Sequence, residues 1–201
     1  ANQLTSRDVV KIDLETALHA GMVRYVDYTN DYVDSIEALI DLGAIRQAKL
    51  RVAVDPMYGV GQNALEIVLT ESRCRMDTIN SRHDPLFGGR SPAPDLGSLT
   101  LLTNTVIDGG YDLGLAMDGD ADRIAIIDQN GLFVSTNELL ILLYYYLHEI
   151  RKERGGVTRN LATTHLLDRM AAHFGEESYE VPVGFKHLAA SMIENDVLLA
   201  G

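Results

Sequence analysis

Asp118-Gly119-Asp120-Ala121-Asp122-Arg123 puts three carboxylates at alternate positions with an arginine directly after them. Apolar runs enclose the stretch, Leu113 to Met117 before it and Ile124 to Ile127 after it. Short apolar runs bounded by turn residues read as strands. In extended backbone, side chains at i, i+2 and i+4 point the same way. The spacing therefore predicts a loop held between two strands, with Asp118, Asp120 and Asp122 converging on one hard cation.

Working upstream, the incoming strand covers Tyr111 to Met117. Before it, Asp95 opens a helix whose Leu96, Leu99, Leu102 and Val106 share one face, ending at Asp108-Gly109-Gly110. The stretch from His83 to Pro94 holds three of the chain's five prolines and cannot be regular structure. Its Arg82, His83 and Arg90 either line a cleft used by an anion or belong to a plain connection; spacing leaves both open. A strand near Arg75 to Ile79 follows a helix from about Asn63 to Ser72, which in turn follows a strand over Leu50 to Val54. The intervening loop, Met57-Tyr58-Gly59-Val60-Gly61, has neither G-x-G-x-x-G nor the Lys-Ser/Thr of a P-loop, so tight-turn geometry explains it better than a phosphate cradle. Helical spacing of Tyr28, Tyr32, Ile36, Leu39 and Ile40 predicts a helix from Tyr25 to a stop at Gly43. Residues 1–19 are weakly patterned and read as a connector or a short strand.

Downstream, Arg123 to Asp128 is the outgoing strand, and Asn130-Gly131 suits a hairpin into Leu132 to Val134. Ser135-Thr136-Asn137-Glu138 is a capping box opening a helix through Tyr144 and Ile150, which Arg151, Lys152 and Arg154 close before Gly155-Gly156. Then come a strand (Thr158 to Thr163), a helix (Leu166 to Phe174), a strand (Ser178 to Val183), a helix (Lys186 to Glu194) and an apolar start at Val197 to Leu199. This alternation predicts an α/β fold of mixed, largely parallel sheets with helices packed on them.

Composition narrows the partners. A net charge of −12 over 201 residues argues against nucleic acid, which needs a basic face. Phosphorylated small molecules need only a few local cations or a metal. The single cysteine, Cys74, allows no internal disulfide and no thiolate metal cluster. The longest apolar run, Leu139 to Leu147, is too short to cross a bilayer, so a soluble protein of the cytoplasm is expected, with no membrane partner.

Four readings of the acidic stretch compete. An EF-hand matches at Asp118, Asp120 and Asp122, then fails at Arg123 and Gln129, where glycine and glutamate belong. An aspartyl phosphotransferase loop of the haloacid dehalogenase type usually carries a small hydroxyl or apolar residue where Asp122 stands, and a helix after its strand. A solvated acidic turn leaves three convergent carboxylates unused. The fourth reading is a family resemblance. The stretch resembles the magnesium loop of the α-D-phosphohexomutases, the family of phosphoglucomutase and phosphomannomutase. Val54-Asp55-Pro56-Met57-Tyr58-Gly59-Val60-Gly61 resembles that family's second-domain strand-loop, and Phe87 to Pro94 its proline-rich loop. Ala162 to Asp168 and Pro182-Val183-Gly184-Phe185-Lys186 resemble its third domain, in the same order.

The resemblance implies a connector from a missing first domain over 1–19, the second domain with the metal loop over 20–134, and a third domain over 135–201 that is truncated at its C-terminus. It implies Mg2+ on Asp118, Asp120 and Asp122, acting as a Lewis acid, with Arg123 directed at the transferring phosphoryl group. Substrate contacts fall to Asp122, Arg123, Val183, Gly184 and Lys186, with Lys186 equally able to be a solvated helix residue. Substrates would be a hexose phosphate and a hexose bisphosphate, exchanged through a phosphoserine in a Ser-His-Asn context. No serine of this chain precedes His-Asn, so the chain alone is expected to be inactive. Val183 stands where many members have threonine and offers no hydroxyl. Ala121 replaces a common glycine, a change tolerated if its φ is negative. The rival from another class is a non-catalytic module that binds divalent cations or protein.

Overall fold

The computed structural model describes residues 11–201. Residues 11–41 and 42–201 belong to two separate packing units. Residues 1–10, half of the expected connector, lie outside the described residues. In place of a short strand, residues 14–19 form helix α1 (Leu14–His19), capped by Asp13, whose carboxylate accepts the Thr16 N–H at 2.9 Å. Helix α2 (Thr29–Glu37) is shorter than the pattern from Tyr25 to Gly43 predicts. Gly43 lies in the first turn of the next helix, α3 (Leu42–Ala48), rather than at a stop.

The second unit holds two sheets. The first contains β1 (Arg51–Asp55), β2 (Arg75–Thr78), β3 (Leu113–Met117), β4 (Ile124–Asp128) and β5 (Phe133–Val134), in the order β2-β1-β3-β4-β5. β1 pairs in parallel with β2 and β3, and the β3–β4 and β4–β5 pairs are antiparallel. Alternation along β1 assigns the helices to opposite faces. Ala53 packs in one core with Leu99, Leu102 and Val106 of α5 (Thr100–Gly109) and its N-cap, while Val52 and Val54 pack with Leu69 of α4 (Gln62–Glu71). Gly114 on β3 lets α5 approach, since a Cβ there would lie 2.8 Å from Val106.

Asp95 does not open α5. It closes a separate turn with Ser98, whose N–H it accepts at 2.9 Å, and the helix begins five residues later at Thr100. An Asx turn and a helix N-cap use the same side-chain chemistry, so the two are indistinguishable in sequence.

The second sheet, β6 (Val157–Asn160), β7 (Ser178–Val181) and β8 (Leu199–Ala200), is all parallel in the order β7-β6-β8. The capping box at Ser135 and Glu138 forms with both of its hydrogen bonds and starts α6 (Thr136–Tyr145). The predicted single helix through Ile150 instead widens into a π-turn over Tyr146–Ile150, where His148 is buried and stacks on Phe174 at 4.0 Å. Val157 packs with Tyr144 of α6 and Leu167 and Ala171 of α7 (Leu166–Phe174). The next residue, Thr158, faces the other way and shares a 2.7 Å hydrogen bond with Ser191 of α8 (Phe185–Asn195). Among the described residues no helix is long and apolar enough to cross a membrane.

Candidate functional site

In the first sheet the chain leaves β1 toward β2 on one side and later returns to β3 on the other. The C-terminal ends of β1 and β3 therefore flank a topological switch point, where open α/β sheets leave a crevice for ligands. The acidic stretch closes the β3–β4 hairpin there, with Met117 paired to Ile124. Asp118 is buried, whereas Asp120 and Asp122 are exposed, and one carboxylate oxygen from each lies within 4.8 Å of the others.

Asp118 organises the loop. Its Oδ1 accepts the backbone N–H groups of Asp122 and Arg123, both at 3.0 Å, and its Oδ2 accepts Arg123 Nε–H at 2.6 Å. Burial alone would raise its pKa, but the hydrogen bonds and charge of Arg123 outweigh burial and hold the carboxyl below the ordinary range. Asp122 moves the opposite way, raised chiefly by the negative charge of Asp120. Arg123 is raised by its bond to Asp118. Its two Nη groups make no hydrogen bond among the described residues and remain available to an anion.

Two loops pack on this one. Val60 donates its N–H to Gly119 O at 3.1 Å, and a Cβ on Gly59 would stand 2.6 Å from that same oxygen. Close backbone approach is thus what Gly59 supplies; the positive φ values of this loop fall on Met57 (49°) and Tyr58 (64°) instead. On the other side Phe87 and Pro92 of the proline-rich loop press on Gly119, where a Cβ would meet the Phe87 ring at 3.0 Å.

The three basic residues of that region separate. Arg82 and His83 line a cavity of about 420 Å3 with Tyr58, Gly59 and Gly119. Arg90 turns away: it donates to Ser98 O at 3.3 Å and stands 4.0 Å from the fully buried Asp55, whose pKa burial raises. Ala121 has φ +61°, the left-handed region, so the negative φ on which its tolerance depended is not found.

A second cavity, about 450 Å3, joins Asp122, Arg123 and Ile124 to the second sheet. Its far wall includes Val183, Gly184 and Phe185, and also Asn137, Asn160 and Thr163. The order β7-β6-β8 makes the end of β6 a switch point too, which is why Asn160 and Thr163 arrive there. Gly184 has φ +134°, a conformation that disfavours any side chain. Lys186 is exposed and does not line this cavity; Phe185 does. His165 is held by Arg159 at 2.8 Å and Asp168 at 3.1 Å, a structural role. Asn137 lies inside the capping box and Asn160 in no spaced motif, so neither carried a signal for this cavity; only the tertiary arrangement brings them to the wall that Arg123 shares.

Residues 30–131 match the family model described as phosphoglucomutase/phosphomannomutase, alpha/beta/alpha domain II, and residues 135–201 match the corresponding domain III. A phosphoglucomutase/phosphomannomutase of Thermococcus kodakarensis is 31% identical over 90% of this chain and 40% of its own length. A probable phosphoglucosamine mutase of Methanosarcina acetivorans is 33% identical over 85% of this chain and 37% of its own. A crystal structure from Thermus thermophilus, assigned to the phosphomannomutases, superposes with a TM-score of 0.80 at 28% identity, covering 88% of this chain and 41% of that one. The chain thus spans about 40% of the length of the curated relatives it matches.

Proposed function

The chain belongs to the phosphoglucomutase/phosphomannomutase family, and from that membership we propose that it carries the metal loop and one wall of the substrate cleft of a magnesium-dependent phosphohexomutase. The complete enzyme would move a phosphoryl group between C1 and C6 of a hexose phosphate, through a phosphoserine and a hexose bisphosphate. The observation that carries this reading is the set of three carboxylate oxygens within 4.8 Å of one another, beside a guanidinium with free Nη groups.

The donors fit Mg2+ in kind, being oxygen only and hard. Asp118, Asp120 and Asp122 would hold the ion, which when bound supplies Lewis-acid neutralisation of phosphoryl charge.

The chain's own residues do the rest. Asp118 fixes Arg123 through Nε, leaving a planar fork in the cavity wall, where two phosphoryl oxygens can be bound at once. Positioning of this kind, with charge neutralisation, supplies most of the catalysis in phosphoryl transfer. Gly184 keeps the opposite wall free of side chain, and Val183 contacts the sugar by its apolar surface only. Lys186, next to the wall residue Phe185, is the candidate to meet a substrate phosphate from the rim.

Asp120 makes no hydrogen bond among the described residues, so Asp120→Ala should fold normally. Titrating Mg2+ into wild type and variant should show affinity falling more than about tenfold. Equal titrations would sink the ligand assignment. The 201-residue chain alone should not convert glucose 1-phosphate to glucose 6-phosphate in a coupled assay, because no serine in it stands before His-Asn. Turnover there would overturn that part of the reading.

A further inference from the structure

The opposite end of β1 carries the reverse charge. Arg46, Lys49, Arg51, Arg73 and Arg75 line a cavity of about 510 Å3 at the N-terminal edge of the first sheet, with no other residue type in its wall. The whole chain has only 17 lysines and arginines and a net charge of −12, so five cations in one concavity need a reason. Part of the reason is local. In an α/β sheet the helices that precede parallel strands end at this edge, and their C-termini are negative. Arg46 donates to Glu71 O at the end of α4, and Arg51 donates to Gly109 O and Gly110 O at the end of α5, each at 2.9 Å.

Magnitudes show that this is not enough. Three helix ends, those of α3, α4 and α5, offer about −0.5 charge each. Asp112 adds one carboxylate, which accepts the backbone N–H of Arg51 at 2.6 Å. Together these offset about half of the five positive charges. Among the described residues, none of the five forms an ion pair, and the side chains of Lys49, Arg73 and Arg75 make no hydrogen bond. Lys49 and Arg73 also occupy left-handed backbone, φ 52° and 59°, just past the ends of α3 and α4, where glycine is the usual residue.

We propose that this basic cavity is a second anion site, separate from the acidic loop, that binds compact polyanions bearing linked phosphates. The volume falls in the range of small-ligand sites. The side chains of the wall offer charge and forked donors but no side-chain acceptor for a sugar hydroxyl. A neighbouring ring, Tyr111, already lies under Arg51, whose Cζ is 5.2 Å from its centroid. The site therefore reads phosphate density rather than a sugar or a base. β1 separates it from the switch point by about 13 Å, four residue steps at about 3.3 Å.

The test uses metal-free tripolyphosphate, with ATP and sulfate compared at equal ionic strength, on the 201-residue chain by calorimetry. Tripolyphosphate should bind saturably at one site, at least tenfold tighter than sulfate and no weaker than ATP. Lys49→Gly and Arg73→Gly place glycine where the backbone favours it, so each should lower the affinity about tenfold without lowering the Tm. If those backbones shift, Arg75→Gln reports the same loss from ordinary strand geometry. Sulfate binding as tightly as tripolyphosphate would overturn the proposal. So would ATP binding more tightly, or unchanged affinity in the variants, or a Tm that falls with each charge removed while binding stays the same. Because no Mg2+ is present, failure here leaves the metal-loop reading untouched.

Discussion

The two sheets of the 42–201 unit share one plan and use it differently. Each runs outward from a central parallel strand, β1 or β6, to one neighbour and then back across to the other, so each has a switch point at its C-terminal edge. At the first, non-glycine residues with positive φ gather: Met57, Tyr58, Asn80, Phe87 and Ala121. Two of its three carboxylates are exposed and unneutralised except by Arg123. At the second, in the loops after β6 and β7, only Gly184 has positive φ, and the charges are satisfied. Arg159, nearly fully buried, is held by Asp168 at 2.9 Å and Glu180 at 2.6 Å. Under the proposed function, strain and unpaired charge are tolerated at the metal loop and removed where the sheet supplies a wall.

Breaking the second sheet's network should cost the most. Asp168→Ala leaves Arg159 short of a partner in the interior and should destabilise the chain by about 3 kcal/mol. Urea unfolding would measure that, and the folded fraction should still respond to Mg2+. Gly59→Ala tests the first sheet: a methyl 2.6 Å from Gly119 O must push the acidic loop, costing about 2 kcal/mol and abolishing the Mg2+ response. An intact response would mean that the loop's packing does not set the metal site.

Acid should separate the regions further. Asp122 is raised by Asp120, so it gains its proton above the ordinary carboxylate range of about 3.9, and Mg2+ affinity should fall about tenfold per pH unit from there. Asp118 and Asp168 are both lowered in the fold. Their contributions are complete above the unfolded value and are lost only as pH falls through the lower folded ones. Carbon NMR of the carboxylates with parallel unfolding curves should therefore find a window in which the metal is gone and the fold remains. The smallest effect belongs to Ala121→Gly. Relief of the left-handed φ exceeds the added chain entropy by about 0.5 kcal/mol, which thermal unfolding should register as a slightly higher Tm.

Much of this was legible in the chain itself. Alternation of apolar runs with capped amphipathic stretches was enough for the α/β class, and the Ser135–Glu138 box located the start of α6 to the residue, though not its end. The spacing of Asp118, Asp120 and Asp122 foretold a loop between two strands with converging carboxylates, but not the reason for it: residues 118–123 turn rather than extend, with Ala121 donating its N–H to Asp118 O at 3.1 Å, and that turn brings the carboxylates together. Other features needed the tertiary structure. Gly59 looks like a turn glycine until Gly119 O is found against it, and Arg90 looks like a cleft residue until the buried Asp55 is found beside it. The left-handed φ of Ala121 was signalled only by the glycine common at that position in the resembling family, and the π-turn at His148 had no sequence signal. The crossover order decided what faces Arg123. It brought Asn137, Asn160 and Thr163 to one wall and gathered five cations at the far end of β1. Local spacing governs which side chains leave a strand together, and only the order of the strands governs which of them meet.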